Sequence, residues 1–271
     1  MKTTSVILVF IASISAGCNN NPVFPNDTQV VLQAYLYAYQ PVQDIQVMSS
    51  IAIGSSDTTN TPISNASVAL LRNGQRFQLS ASAGRPGYYN YQGSDLTVKT
   101  GDDFRIEVGV GGQSVTAETV VPTKPEQIAL SIQTLRFRAD TAQVRFGPRT
   151  RIDSPDSAIV TWSNPSGDYF YVVIESIDAG RQLIRPDSTF TRRFVSDPTN
   201  QSMFRVNNNS ILWTGKHVVR LYHVDKEYAN LYRSRTQDSR TLNEPLTNVS
   251  NGLGIFSSFA SDSLFFNVVL N

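Results

Sequence analysis

The 271-residue chain has one cysteine, two histidines and no apolar run of membrane-spanning length. Each shortage removes a class of protein. Cys18 has no second cysteine to pair with, so the fold must be held by burial alone. The apolar stretch from Val6 to Ala12 falls far short of the roughly 20 residues that a helix needs to cross a bilayer. An excess of one charge is missing too. Lys and Arg number 23 and Asp and Glu 22, a net charge of +1, which supplies no field for a nucleic acid or other polyanion. On a strand, His217 and His223 would share a face about 20 Å apart at roughly 3.3 Å per residue. That is too far to ligate one metal ion. No Gly-x-Ser-x-Gly elbow or His-Glu-x-x-His pair occurs. Asp102-Asp103 offers too few oxygens for calcium, which takes about six to eight, and reads as a turn. No catalytic residue, metal or cofactor is expected. A histidine acting with a distant serine stays open, because triads assemble through space.

What is present begins at the N-terminus. Lys2, the apolar run Val6-Ile7-Leu8-Val9-Phe10-Ile11-Ala12 and the small residues Ser15-Ala16-Gly17 have the order of a secretory signal. They lead directly into Cys18, and this junction resembles the lipobox of bacterial lipoproteins, in which the cysteine is acylated. Ser15 departs from the leucine preferred three residues before that cysteine. The alternative is an ordinary cleaved signal with an incidental cysteine, against which stands the rarity of a free N-terminal thiol in an oxidising compartment. The expectation is a signal peptide over 1–17 and a lipid on Cys18 that holds the protein to a membrane without crossing it. A polar, proline-punctuated tether should follow over 18–25.

The rest of the chain alternates with period two. Val30, Leu32, Ala34, Leu36 and Ala38 line one face of a strand whose other face carries Gln33, Tyr35, Tyr37 and Tyr39. Asn73-Gly74 between Ser67–Leu71 and Arg76–Leu79 marks a two-residue hairpin, since both turn positions need φ > 0. Further strands are expected at Gly87–Tyr91, Phe104–Val108 and Ser114–Val120. Val121-Pro122-Thr123-Lys124-Pro125 reads as a stiff connector. Beyond it come Ile128–Ile132, Ala158–Trp162 pairing with Tyr169–Ile174 across Asn164-Pro165-Ser166-Gly167, His217–Tyr222 and Leu264–Val269. Asp225 is placed to cap a short helix over Glu227–Tyr232. The fold class is all-β: two immunoglobulin- or fibronectin-like β-sandwich domains in tandem over 26–123 and 124–271, with one short helix in the second.

Tyrosines are the best candidates for binding. Tyr35 and Tyr37 on the first strand, and Tyr88 and Tyr89 on another, join a large apolar body to a hydroxyl, as interface residues do. Packing in the core or between domains is the competing assignment. Arg136, Arg138, Arg145, Arg149 and Arg151 cluster in the second half and read as solvated strand edges, with an anionic partner as the alternative. Asp-Ser/Thr triplets beginning at Asp57, Asp140, Asp156, Asp187 and Asp262 are similar to the O-glycosylation sequon of exported Bacteroidota proteins.

Three blocks together resemble one family: Val30–Leu36, Pro62–Leu70 followed by Gly87-Tyr88-Tyr89, and the terminal Asn248–Phe256 with its Gly252-Leu253-Gly254-Ile255-Phe256 segment. The similarity is to the Bacteroidota outer-membrane lipoproteins of unknown-function family 4249, over nearly the whole chain after the leader. It implies an accessory role at the outer membrane beside a TonB-dependent transporter, with no catalytic residue to carry over. The segment from Arg136 to Pro155 matches poorly. A structural or adhesive surface protein is the second expectation, and a hydrolase with a dispersed site the third.

Overall fold

The structure, a computed structural model, describes residues 28–51, 59–144, 147–153, 158–184, 192–206, 210–234 and 247–270, with backbone pairing alone over 138–153. Eight strands make up the first half: β1 (Val30–Tyr37), β2 (Ile45–Ser49), β3 (Thr61–Pro62), β4 (Ser67–Arg72), β5 (Gln75–Ala81), β6 (Tyr88–Asn90), β7 (Asp103–Val110) and β8 (Gln113–Val120). The second half holds β9 (Glu126–Leu130), β10 (Thr134–Val144), β11 (Gly147–Asp153), β12 (Ala158–Ser163), β13 (Tyr169–Ser176), β14 (Arg193–Val195), β15 (Met203–Val206) and β16 (Gly215–Val224). One helix, α1 (Lys226–Ser234), precedes β17 (Val249–Ser250) and β18 (Leu253–Leu270). The protein is an all-β sandwich.

Local chemistry explains the hairpins of the first half. Arg72 pairs with Gln75 around Asn73 and Gly74, whose φ values of 50° and 79° are those a type I′ turn requires. β7 and β8 are joined in the same way through Gly111-Gly112, both at positive φ. The alternating residues of β1 are buried as expected, and they meet Ile45, Val47, Leu70, Tyr89, Phe104 and Ile106 in one apolar core.

That core is completed from the far end of the chain. β18 pairs in parallel with β1 from Val31↔Leu253 to Tyr37↔Phe259, and β17 pairs with β8. Val249 and Phe256 are members of the first core. β18 then continues into the second half, where it pairs antiparallel with β16 from Val224↔Phe259 to Gly215↔Val268 and in parallel with β10. Its residues Phe266 and Val268 lie in a second core with Leu135, Phe137, Trp162 and Phe170. One 18-residue strand is therefore shared by both halves, and it crosses the division drawn at residue 123. The expected last strand, Leu264–Val269, is only the end of it.

The Gly252-Leu253-Gly254 segment makes this crossing possible. Gly254 has φ +110°, and a Cβ there would overlap the Leu32 carbonyl oxygen. A Cβ on Gly252 would press on the Val30 carbonyl and on Val115. The Asn248 side chain spans the resulting corner, accepting the Phe256 N–H at 3.0 Å and donating to the Phe256 carbonyl at 2.6 Å. Backbone groups that the irregular corner leaves unpaired are thereby satisfied.

One expected pairing is corrected. β12 does not pair with β13 across Asn164–Gly167; it pairs with β9 and β15 in a separate three-stranded sheet, while β13 pairs with β14 and β16. The Asn164 side chain bonds the Asp168 N–H and C=O and the Asn200 carbonyl, which holds a wider corner between sheets rather than a hairpin. Trp162 and Phe170, 5.6 Å apart at their ring centroids and tilted by 48°, therefore meet across the sandwich. Among the described residues no helix is long and apolar enough to cross a membrane.

Candidate functional site

Cys18 and the tether lie outside the described residues, as do the Asp and Ser/Thr side chains that open four of the triplets. The triplet that can be placed, at Asp262, uses its carboxylate to accept the Ser263 N–H and to pair with Lys124 at 3.2 Å.

The four candidate binding tyrosines separate. Tyr89 is only 1% exposed, its hydroxyl donating to the Ile63 carbonyl at 2.8 Å and accepting the Ala66 N–H at 2.9 Å. It offers no ring to a partner, which corrects its candidacy: the inward face of β6 points into the core. Tyr88, one residue earlier, is half-buried, and the Arg85 guanidinium lies 4.0 Å over its ring. Tyr35 and Tyr37 are half-buried in an aromatic cluster on the outer face of the sheet, beneath α1. Tyr37 stacks on Phe259 at 5.0 Å and meets Tyr222 edge-on, and Tyr35 meets Phe259 and Tyr228 edge-on. Tyr171 stacks on Tyr222 at 4.8 Å. Burial, then the neighbouring phenols of Tyr222 and Tyr228, push the Tyr37 hydroxyl up to about 12. Tyr171 is raised for the same reasons. Of Tyr35, Tyr37 and Tyr39, Tyr39 alone, 64% exposed, stands clear of the cluster.

Helix α1 is locked onto this face by Asp225, as the capping pattern predicts. Its Oδ1 accepts the Tyr228 N–H at 2.8 Å, three residues into the helix. Its Oδ2 accepts the Ser257 hydroxyl at 2.7 Å and the Thr119 hydroxyl at 3.2 Å. Ser258 joins Thr119 at 2.9 Å and donates to the Val120 carbonyl. The network ties β8, β18 and α1 at the point where β18 passes from one core to the other. Ser257 and Ser258 are wholly buried there, hydroxyls between the buried apolar pairs Ile255-Phe256 and Phe259-Ala260. Burial raises the Asp225 carboxyl above the usual carboxylate range, against the hydrogen bonds that favour its charge. Sequence reasoning found the cap but not the network, because Thr119 lies 106 positions and Ser257 32 positions from Asp225.

Both histidines are buried on the inner face of β16. His217 donates from Nδ1 to the Gly215 carbonyl at 3.0 Å and packs on Phe266; burial holds its pKa below the usual imidazole value. His223 stacks on Phe170 at 4.6 Å and lines a polar pocket of about 200 Å³ with Thr123, Glu126, Ser163, Ser166 and Asp168. Its Nδ1 lies 2.8 Å from the Thr123 carbonyl, a contact in which nitrogen must be the donor. The other nitrogen, Nε2, faces the Asp168 carboxylate at 3.6 Å. A base that serves a nucleophile needs one nitrogen turned to a hydroxyl. The Nε2 side of His223 is turned to a carboxylate; Nδ1 donates to the Thr123 carbonyl, with the Thr123 hydroxyl farther off at 3.5 Å, and this contact fixes the connector to β16. Among the described residues no group of three or more His, Cys, Asp or Glu is arranged to hold a metal.

The class that this fold defines is an all-β sandwich protein in two halves joined by a shared terminal strand. The chain belongs to the family described as a domain of unknown function, DUF4249, whose model matches residues 19–264. No curated protein matches it. A solved structure titled "Anomalous substructure of Titin-A168169" is 10% identical over 90% of this chain and 98% of its own, with a TM-score of 0.20, too low to bear on the fold.

Proposed function

We propose that this chain is a lipid-anchored binding protein of the bacterial outer membrane, held through acylated Cys18 and acting beside a TonB-dependent transporter without catalysis of its own. The observation that carries the reading is the path of β18. Thr28, the first described residue, is ten positions after Cys18, and β1 follows at once. Because β18 pairs with β1 and runs on through the second core, an anchor beside β1 would hold the whole assembly as one body. Family membership supports the role to the extent that the family resemblance implies it. The commitment of His217 to packing and a backbone contact, and of the His223 Nδ1 to the Thr123 carbonyl, supports the absence of chemistry.

Two measurements test the proposal. Cells fed a labelled fatty acid should label the wild-type protein and not Cys18→Ser, and only the wild type should stay with the membrane fraction. Purification of the intact lipoprotein in mild detergent should bring a β-barrel transporter with it. An unmodified Cys18 in protein recovered from the soluble fraction would sink the anchored reading, and purification without any such transporter would sink the accessory role.

A further inference from the structure

His223 and Asp168 face each other beside the connector between the halves. His223 is 8% exposed and is held from two sides: its ring stacks on Phe170 at 4.6 Å, and its Nδ1 donates to the Thr123 carbonyl at 2.8 Å. A neutral ring that donates from Nδ1 keeps a lone pair on Nε2. That nitrogen faces the Asp168 carboxylate at 3.6 Å, beyond hydrogen-bond reach. Asp168 is placed as firmly, by the Asn164 side chain, which accepts its N–H at 2.9 Å and donates to its C=O at 3.0 Å. Among the described residues no hydrogen bond reaches its carboxylate, which is 48% exposed. Two acceptors set opposite each other repel unless a donor lies between them. The pair also stands between two cavities, since Asp168 and His223 line both. One, of about 200 Å³, is bounded by Glu126, Ser163 and Ser166; the other, of about 390 Å³, reaches Tyr169 and Lys226. The smaller cavity thus adds a second carboxylate, while its lysine, Lys124, is turned to Asp262 at 3.2 Å.

We propose that this pair is a binding site for the primary ammonium group of a small molecule. An ammonium nitrogen can give one hydrogen to Nε2 and another to Asp168, while its charge offsets that of the carboxylate. A nitrogen about 2.9 Å from each atom fits acceptors that lie 3.6 Å apart. An anion would meet carboxylates and a lone pair, and a hydroxyl has a single hydrogen for two acceptors. The smaller cavity lies below the roughly 300 Å³ at which pockets for drug-sized ligands begin, so the amine it takes is compact. Stacking, the Thr123 carbonyl and Asn164 fix both acceptors before any ligand arrives, which spares the entropy of ordering them. A proton carried by Nε2 itself, closing the pair as an ion pair, is the competing arrangement. The inference deepens the binding role proposed above and rests on it, but it needs neither the lipid nor the transporter.

The scarcity of histidine makes the test clean. His217 and His223 are the only two in the chain, so the ring Cε1–H region of an NMR spectrum holds two signals. His217, buried against Phe266, is the internal control, and His223→Gln assigns the other. The full chain in detergent is titrated with n-propylammonium, tetramethylammonium and 1-propanol. Propylammonium should move the His223 signal to saturation and leave His217 still. Tetramethylammonium has the charge without an N–H, and propanol has no charge; each should bind about ten-fold more weakly or less. Asp168→Asn should weaken propylammonium by about ten-fold, with His217 at its wild-type position to show an intact fold. Should that substitution displace His217, Asp168→Ser takes its place. Before amine is added, long-range nitrogen spectra should show hydrogen on the His223 Nδ1 and none on Nε2. No response to propylammonium, equal responses to the three probes, an unchanged response in the Asp168 variant, or a free ring protonated on both nitrogens overturns the proposal. A labelled Cys18 and a captured transporter alongside any of these would leave the proposed function standing, with its binding done elsewhere on the molecule.

Discussion

The two halves of this molecule solve the same packing problem by different routes. In the first, neighbours in sequence are mostly neighbours in the sheet: β1 with β2, β4 with β5, β5 with β6, β7 with β8. In the second, β12 and β13 are consecutive yet lie in different sheets, and β13 sits between its neighbour β14 and the more distant β16. Tight turns with Gly and Asn fix the first kind of pairing locally. The second kind depends on which faces can be buried together, and only the assembled core decides that. The halves then depend on each other, because the locally built one is completed by the last strand of the chain.

The seam between the halves is where the largest effect is expected. Gly254→Val combines a backbone conformation unfavourable to L side chains with overlap on the Leu32 carbonyl. It should cost about 4 kcal/mol or more, at the exceptional end for one substitution. Gly74→Ala, also at positive φ but with open space around the Cβ position, should cost only about 1–2 kcal/mol. Urea denaturation of the pair checks this. Similar losses would mean that the β1–β18 approach is no constraint.

Trp162→Ala should remove about 3–5 kcal/mol from the second core. Since β18 serves both cores, the melting curve should shift as one transition, followed by Trp and Tyr signals alike. Two transitions, with only one displaced, would show that the halves fold apart and would break the comparison drawn above.

Asp225→Ala should cost about 2–3 kcal/mol, from the lost cap and from hydroxyls left without their acceptor. Asp225→Asn keeps an acceptor for the Tyr228 N–H and should cost less. The pH dependence has a definite sign. A carboxyl whose folded pKa is raised binds its proton more tightly in the fold. The increment is full below the unfolded value of about 3.9 and is lost as pH rises through the folded value. The advantage of wild type over Asp225→Asn should therefore shrink from acid toward neutral pH in denaturant titrations. An advantage that grows would reverse the assignment of burial as the dominant cause.

The smallest effect concerns the aromatic cluster. With Tyr37 raised to about 12, the fold keeps its phenol neutral where an unfolded tyrosine, near 10, has ionised. Stability should hold below pH 10 and fall between 10 and about 12. Absorbance titration of tyrosinate should show a late step that Tyr37→Phe removes. A Tyr37→Phe titration that instead loses a step near 10 would place Tyr37 in open solvent.

How much was legible follows residue by residue. Asn73-Gly74 announced its hairpin, since few other pairs accept two positive φ angles. Asp225 announced α1, because a carboxylate before a helix satisfies free N–H groups. The period-two rows of β1 announced a buried face. That face could not say whether Tyr35 and Tyr37 opposite were bare or covered, because the cover is α1, nearly two hundred residues later. Tyr88 and Tyr89 looked alike as a pair, yet adjacent strand residues face opposite ways, and which of them points inward depends on register.

By itself the sequence determined the all-β class, the turns, the capped helix and the candidate anchor at Cys18, because each rests on the chemistry of a few adjacent residues. Only the tertiary structure decided that β18 closes both cores and that Asp225 binds Thr119 and Ser257. These depend on contacts between residues up to two hundred or more positions apart, and pairing at that distance is fixed by packing and register rather than by local propensity.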